Sequence, residues 1–151
     1  MNPSETFSFL LCNMQENWRL SREAEEKRFL LATVNVFLAT ALQITIVLTG
    51  FHRQTLLVSC WLVIIGIYGI VANLKLYERS QFHISRARKL RAKLDSLSSD
   101  AELEHLFQSA EQEQKQAYPL LMNIHLNTIW TALHALIALS GVIYSILCLS
   151  Q

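Results

Sequence analysis

Three long runs of this sequence carry no formal charge. The 13 basic and 12 acidic residues all lie outside positions 29–51, 54–74 and 116–151. A helix needs about 20 mainly apolar residues to cross the roughly 30 Å hydrocarbon core of a bilayer, and the shortest run has 21 residues. A soluble protein would instead bury shorter, amphipathic helices. The runs therefore predict an all-α integral membrane protein with three transmembrane helices.

The distribution of the basic residues predicts which side of the membrane each connecting segment occupies. The N-terminal and central segments carry twelve of the lysines and arginines, whereas the loop between the first two runs carries only Arg53. Basic residues in short segments stay in the cytoplasm, so the N-terminus is expected to be cytoplasmic and the C-terminus external. We expect a cytoplasmic segment 1–28, a transmembrane helix 29–51, an external loop 52–55, a transmembrane helix 56–74, a cytoplasmic segment 75–118 and a transmembrane helix 120–149.

The central segment predicts a cytoplasmic helical hairpin between the second and third transmembrane helices. Residues 75–97 contain neither glycine nor proline, so the second helix is expected to continue past the membrane as one rod. Positions 95–113 hold six acidic residues and no lysine or arginine. A turn at Ser98–Ser99 would fold an acidic helix back along that rod, with leucines 90, 94, 97, 103 and 106 as the seam. Such a hairpin is either an ordinary solvated element or a sensor whose basic face is covered until the acidic helix is displaced.

The stretch LKLYERSQFHISRARKLRAKL, residues 74–94, contains seven lysines and arginines. Beside a membrane helix, such residues attract an anionic lipid surface, at about 1 kcal/mol each, or a cytoplasmic partner. Direct nucleic-acid binding is not expected, because no aromatic residue is interleaved in SRARKLRAK, residues 85–93, and no known nucleic-acid-binding fold accompanies it. The predicted residues for lipid or partner docking are Lys75, Arg79, Arg86, Arg88, Lys89, Arg91 and Lys93.

Polar and small residues gather on one side of each predicted transmembrane helix when the sequence is projected at 100° per residue. These groups would be costly in lipid, so the stripes are expected to meet one another, a neighbouring subunit or water. Two interpretations stay open: packing within one three-helix bundle, or self-association into a ring around a pore. The predicted pore or helix-packing residues are Asn35, Gln43, Gly66, Gly69, Asn73, Asn123, Asn127, Thr131, His134 and Gly141.

The sequence carries no recognisable catalytic or metal-binding motif. Its four glycines form no phosphate-binding loop, and neither Gly-x-Ser-x-Gly nor His-Glu-x-x-His occurs. The three cysteines fall in separate segments without a Cys-x-x-Cys. Glu102 and His105 have the Glu-x-x-His spacing of di-iron bundles, but in a single copy. We therefore expect no enzyme activity, no cofactor and no metal site.

A short-looped hydrophobic hairpin, Phe29–Leu74, continues directly into the basic stretch ANLKLYERSQFHISRARKLRAKL. This layout resembles that of small bacterial membrane effectors of antiphage systems, which include SLATT-type proteins and the transmembrane effectors of retrons. The resemblance implies an oligomeric toxin of the inner membrane. A cytoplasmic regulatory protein or ribonucleoprotein would hold it inactive, and its release would kill the infected cell. The alternative is a non-toxic scaffold that recruits a cytoplasmic partner through residues 75–118.

Overall fold

The computed structural model describes residues 3–97, 109–110, 112–118 and 125–150. Nearly all of these residues are helical, and no β-strand occurs among them. The all-α class that the sequence predicts is therefore confirmed for the described part of the chain. Its three long helices are α1, Pro3–Thr49; α2, Leu56–Asp95; and α3, Leu126–Leu149.

Each of the three helices is long and apolar enough to cross a membrane, as the three uncharged runs predict. Large apolar side chains cover their outer surfaces: Phe37 is 74% exposed, Leu48 81% and Leu136 63%. A soluble protein rarely exposes so much contiguous apolar surface, whereas lipid tails are as apolar as leucine. The helices therefore have the surface expected of a multi-pass membrane protein.

Helix α1 extends far beyond the first uncharged run. It begins at Pro3, and the fixed φ and missing N–H of proline suit the first turn of a helix. The N-terminal segment, for which the sequence predicts only a cytoplasmic location, is therefore helical from Pro3 onward. The helix ends at Thr49, because Gly50 adopts a left-handed conformation with a φ of 87°.

The connection between α1 and α2 is a tight turn that contains the 3-10 helix Arg53–Thr55. The Thr55 hydroxyl accepts a hydrogen bond from the backbone N–H of His52, at 3.0 Å, and lies 2.8 Å from the carbonyl oxygen of the same residue. Since Thr55 is buried, this side chain fixes the turn from within. The structure thus places an ordered turn at the predicted loop 52–55.

Helix α2 is one continuous helix of 40 residues, which confirms the predicted continuation of the second helix beyond the uncharged run. It ends at Asp95, close to the predicted break. The turn at Ser98–Ser99 and most of the acidic segment lie outside the described residues. Residues 109–110 and 112–117 are helical. The predicted pairing of an acidic helix with the basic one therefore stays a prediction.

The chain forms two compact units. The membrane unit comprises Glu25–Glu78 and Leu126–Gln151, and the charged unit comprises Met1–Ala24 and Arg79–His125. The membrane unit has a small apolar core, whose fully or nearly buried residues come from all three helices: Ala39, Ile46, Leu62 and Ile137. The rest of its interior is polar or small, and that interior is the candidate site.

Candidate functional site

Small residues let the helices of the membrane unit approach to backbone contact. A Cβ added at Gly66 of α2 would lie 2.5 Å from the backbone nitrogen of Ala138 in α3. A Cβ added at Gly141 of α3 would lie 2.7 Å from the backbone nitrogen of Val63. Both separations are too short for any side chain larger than hydrogen. Close approach of this kind is how membrane helices associate when no hydrophobic effect drives them together.

An asparagine of α2 joins α3 through two hydrogen bonds. The Asn73 amide donates to Asn127 Oδ1 at 3.2 Å and to Thr131 Oγ1 at 3.0 Å. Asn73 is 0% exposed, and its own Oδ1 has no hydrogen-bond partner among the described residues. The contact therefore links α2 to α3 but leaves one buried acceptor unpaired.

About one helical turn away along α2, His134 of α3 lies directly against Gly69. A Cβ at Gly69 would overlap the His134 imidazole and would come within 2.8 Å of the Asn35 amide nitrogen of α1. His134 is 0% exposed. Neither of its ring nitrogens, nor Asn35 Nδ2, has a hydrogen-bond partner within the described part of the chain. All three helices thus contribute to one buried polar site.

We call the five residues of these two contacts, Asn35, Asn73, Asn127, Thr131 and His134, the polar core. A buried polar group without a hydrogen bond costs about 1–3 kcal/mol, and the bilayer interior offers no water to compensate. The incomplete pairing of the polar core is therefore unfavourable for the closed bundle. Groups of this kind inside membrane proteins are rare, and they usually mark the functional part of the molecule.

Polar contacts continue along the bundle beyond the polar core. The Gln43 amide of α1 donates to Ser140 Oγ of α3 at 2.9 Å. Near the turn, Thr55 Oγ1 lies 3.2 Å from Cys148 Sγ, and Ser59 Oγ lies 3.9 Å from the same sulfur. Polar side chains therefore occur at intervals along the whole length of α3.

The structure places nearly all of the predicted stripe residues at contacts between helices of the membrane unit. Asn123 lies outside the described residues. Sequence projection missed Ser140 and Cys148 as contact residues. The reason is that α3 packs against both α1 and α2, so its buried arc is wider than a single stripe. The predicted residues found at these contacts are Asn35, Gln43, Gly66, Gly69, Asn73, Asn127, Thr131, His134 and Gly141.

The basic residues of α2 divide into two groups in the charged unit. Five exposed residues follow one another along α2 at intervals of three or four: Arg79, Phe82, Arg86, Lys89 and Lys93. This spacing aligns them along one side of the helix, and we call them the basic line. Arg88 and Arg91 project from other sides of α2, where Arg91 Nε lies 3.8 Å from Asp95. Lys75, in the membrane unit, is paired with Glu78 at 2.6 Å.

An aromatic residue does lie among the basic ones. Phe82 is 56% exposed, and the Arg86 guanidinium carbon lies 5.5 Å from the centre of its ring. Phe82 lies outside residues 85–93, for which the sequence shows no interleaved aromatic residue, so the expectation about nucleic acid stays a prediction. The three- and four-residue spacing of a helix brings Phe82 between Arg79 and Arg86 on one face.

Another side of α2 in the charged unit packs on the N-terminal part of α1. His83 Nδ1 lies 3.1 Å from Asn17 Oδ1, and the hydroxyls of Ser21 and Ser80 are 3.0 Å apart. All four side chains are buried. The sequence predicts only the acidic segment as a partner for α2, and the contact with α1 was not predicted. The signal was present, since Asn17, Ser21 and Ala24 repeat the spacing of the small and polar residues further along α1.

Among the residues that the structure describes, no three histidine, cysteine, aspartate or glutamate side chains lie close enough together to hold a metal ion. Glu102 and His105 lie outside those residues. No protein family, curated protein or solved structure matches the chain. Its function is therefore inferred from the arrangement of its own side chains.

Proposed function

We propose that the chain is a toxic effector of a bacterial antiphage system that acts by disrupting the inner membrane. In the resting bundle the polar core faces inward. On activation α3 moves away from α1 and α2, and the exposed polar groups associate with those of neighbouring subunits or with water. The observation that carries this proposal is the incomplete pairing of His134 and Asn35, both of which are buried between apolar helices.

The packing supports a bundle that can open. Gly66, Gly69 and Gly141 lie in close contact between α2 and α3, so at these positions separating the helices does not require large interlocked side chains to be withdrawn. Opening also offers new partners to the amide and imidazole groups of the polar core. Interhelical hydrogen bonds in membranes contribute about 0.6 kcal/mol on average and up to about 2, and each added subunit would repeat that contribution.

The continuity of α2 supports regulation from the cytoplasm. The same helix carries Asn73 of the polar core and, further along, the basic line. A regulatory protein or ribonucleoprotein bound to the basic line would restrain the helix that holds α3 in place. Its removal on infection would release the bundle and lead to death of the cell before phage matures. Homo-oligomerisation is part of this proposal, with the N-terminus in the cytoplasm.

A reversible disulfide tests the opening step. Ser59 Oγ lies 3.9 Å from Cys148 Sγ, so Ser59→Cys would bring two sulfurs within bonding reach and tie α3 to α2. Cys12 and Cys60, both exposed, are first replaced by serine and alanine. We expect oxidation to prevent depolarisation of cells that produce the variant, as measured with a membrane-potential dye, and a reductant to restore it.

The matched control carries Ser59→Cys together with Cys148→Ala, which forms no bond and should depolarise cells with or without oxidant. Alkylation of free thiols verifies that the disulfide has formed. If the locked chain depolarises cells as quickly as the reduced one, α3 does not leave α2 and the opening step is wrong.

A second variant tests the polar core itself. Asn127→Leu combined with His134→Leu makes α3 more apolar, so membrane insertion should be preserved while depolarisation is lost. Leu136→Ile, at a position that is 63% exposed, is the control on the lipid-facing side and should leave toxicity unchanged. A double variant that inserts normally and remains as toxic as the parent would contradict the role of the polar core.

The second candidate function is a non-toxic scaffold, which the exposure of the basic line favours. Polyglutamate serves as a probe for an acidic partner, with the protein in uncharged nanodiscs. Arg86→Gln with Lys89→Gln should weaken binding more than Arg88→Gln with Arg91→Gln, although both pairs remove two charges. The difference should be largest at low salt, where screening is weakest. Equal losses would show that net charge alone attracts the probe.

Induction of the chain without neighbouring genes separates the two functions. An effector should depolarise the cells, whereas a scaffold should leave the membrane potential unchanged.

A further inference from the structure

Helix α2 carries two neighbouring rows of residues in the charged unit. One row is buried, and two of its members, Ser80 and His83, contact α1. The other row is the exposed basic line, in which every residue immediately precedes a residue of the buried side of the helix. An α-helix turns by about 100° per residue, so the two rows lie about 100° apart around the axis. The face of α2 that carries the basic line is therefore distinct from the face that packs on α1. The fully or nearly buried members of the first row are Ser80, His83, Ala87 and Leu94.

The basic line has the spacing of a row along which helices pack. Successive members are separated by three, four, three and four residues, which are the intervals between a and d positions of a heptad. At a rise of 1.5 Å per residue the line is about 21 Å long. A partner whose binding groups follow the same repeat can contact every member of the line at once.

The four cations of the basic line have no carboxylate partner in the described part of the chain, where no ion pair within 4.0 Å involves any of them. Other basic residues are paired, since Arg19 and Arg28 each lie 2.7 Å from a glutamate and Lys75 lies 2.6 Å from one. Like charges three or four residues apart on a helix repel one another. An anionic partner would remove this repulsion, so the charge of the line favours a row of carboxylates opposite it.

Two apolar side chains accompany the charges. Phe82 is 56% exposed, and the Arg86 guanidinium carbon lies 5.5 Å from the centre of its ring. Leu90 is only partly buried and lies between the basic line and the buried row. A bilayer surface has no repeat that matches this arrangement. Single-stranded nucleic acid binds through aromatic residues that stack on successive bases, whereas the basic line contains one aromatic residue. A helix can present carboxylates and an apolar residue at the required intervals.

We propose that the basic line binds an acidic helix of a separate protein. The carboxylates of this partner repeat at a and d heptad positions, and one apolar residue of the row packs against Phe82. The partner helix lies along α2 and adds a helix to the coiled-coil packing of the charged unit. This inference names the kind of partner for the regulation proposed above and rests on that proposal for its consequence in the cell. The binding itself does not depend on toxicity.

Two isomeric peptides test the proposal with the full-length protein in uncharged nanodiscs. Each is about three heptads long and has the same glutamates and a single leucine in a helix of alanine and glutamine. The patterned peptide has its glutamates and leucine at a and d positions, whereas the spread peptide has them distributed around the helix. Fluorescence anisotropy of the labelled peptides measures binding. We expect the wild-type protein to bind the patterned peptide about tenfold more tightly, because several weak surface ion pairs then form together.

Matched variants identify the binding face. Arg86→Gln should weaken binding of the patterned peptide about threefold, the effect of losing one such ion pair, whereas Arg88→Gln, at an exposed arginine outside the line, should leave it unchanged. Phe82→Ala should also weaken binding. Its control is Phe9→Ala, at a phenylalanine of α1 that is 59% exposed. Equal affinity of the wild-type protein for the two peptides, or equal losses in Arg86→Gln and Arg88→Gln, would overturn the proposal.

Competition and one further variant distinguish the other possible occupants. Phosphatidylglycerol vesicles or polyuridylate that displaced the patterned peptide at a lower concentration than the unlabelled peptide would overturn the assignment of a protein helix. The variant replaces the five acidic residues of positions 100–113 with their amides and should bind the patterned peptide as the wild-type protein does. A markedly higher affinity would assign the face to the chain's own acidic segment and overturn the assignment of a separate partner.

The outcome for this surface can be separated from that for the effector function. A chain that prefers the patterned peptide but does not depolarise cells would support the acidic helix and contradict the toxic effector. A chain that depolarises cells and binds both peptides equally would overturn the acidic helix alone.

Discussion

At the scale of single residues, the contact between Gly69 and His134 sets the geometry of the candidate site. Gly69 has no side chain, and the His134 imidazole occupies the space that a Cβ would need. A 100° projection of the sequence placed both residues on inward faces of their helices. It did not show that they touch, because the contact depends on the register between α2 and α3, which no local pattern encodes.

The substitution Gly69→Ala should destabilise the membrane unit. The added methyl would collide with His134 and Asn35, and overpacking of this kind costs about 1–3 kcal/mol. Thermal unfolding in detergent, followed by circular dichroism, should show a lower midpoint than wild type. Helix propensity acts in the opposite direction, since alanine favours a helix more than glycine does. A decrease in the midpoint would therefore reflect the collision of the added methyl with His134 and Asn35.

The double variant Gly69→Ala with His134→Ala provides the control. Removing the imidazole makes room for the methyl, so the two substitutions should be less destabilising together than the sum of their separate effects. Strict additivity would mean that His134 does not lie against Gly69.

At the scale of the element, the regular spacing of its buried residues explains how the long helix α2 packs. The buried residues of α2 follow one another at intervals of three, four or seven: Thr55 immediately before the helix, then Ser59, Leu62, Gly66, Gly69, Asn73, Ser80, His83, Ala87 and Leu94. This is the heptad spacing of a coiled coil, with small and polar residues in place of most leucines. The pattern could be predicted within the uncharged run. Beyond that run the sequence predicted Leu94 on the packing face, but Ser80 and His83 were missed because the seven basic residues dominate the sequence there.

A matched pair of substitutions tests the packing of α2 in the charged unit. Ala87 is 0% exposed and lies on the same face as Ser80 and His83, whereas Ala92 is exposed. Ala87→Leu should force the helices of this unit apart and speed amide hydrogen exchange in residues 3–24. Ala92→Leu adds the same side chain to the surface and should leave exchange unchanged, since alanine and leucine have similar helix propensities. Equal protection in both variants would show that this face is not packed.

At the scale of the whole molecule, the sequence predicted the fold class and the number of long apolar helices. Run length alone predicted three helices able to cross a membrane, because the cost of burying charge in hydrocarbon leaves few alternatives. The helical state of residues 3–28 was not predicted, because its apolar patch FSFLL is short and nine charged residues of both signs lie around it. Which charged segments pack together depends on contacts between distant parts of the chain. The charge composition could therefore suggest only one partner for α2, the acidic segment.

The twelve-to-one distribution of basic residues between the two predicted sides predicts the membrane orientation. Moving twelve positive charges across the bilayer would be far more costly than moving Arg53, so the N-terminus should stay in the cytoplasm. A green fluorescent protein fused after Leu97 should fluoresce, while alkaline phosphatase at the same point should be inactive. After Gln151 the two reporters should give the reverse pattern, because α3 crosses the membrane between them. A fluorescent, phosphatase-negative fusion after Gln151 would mean that α3 does not span the membrane, and the polar core would then require another explanation.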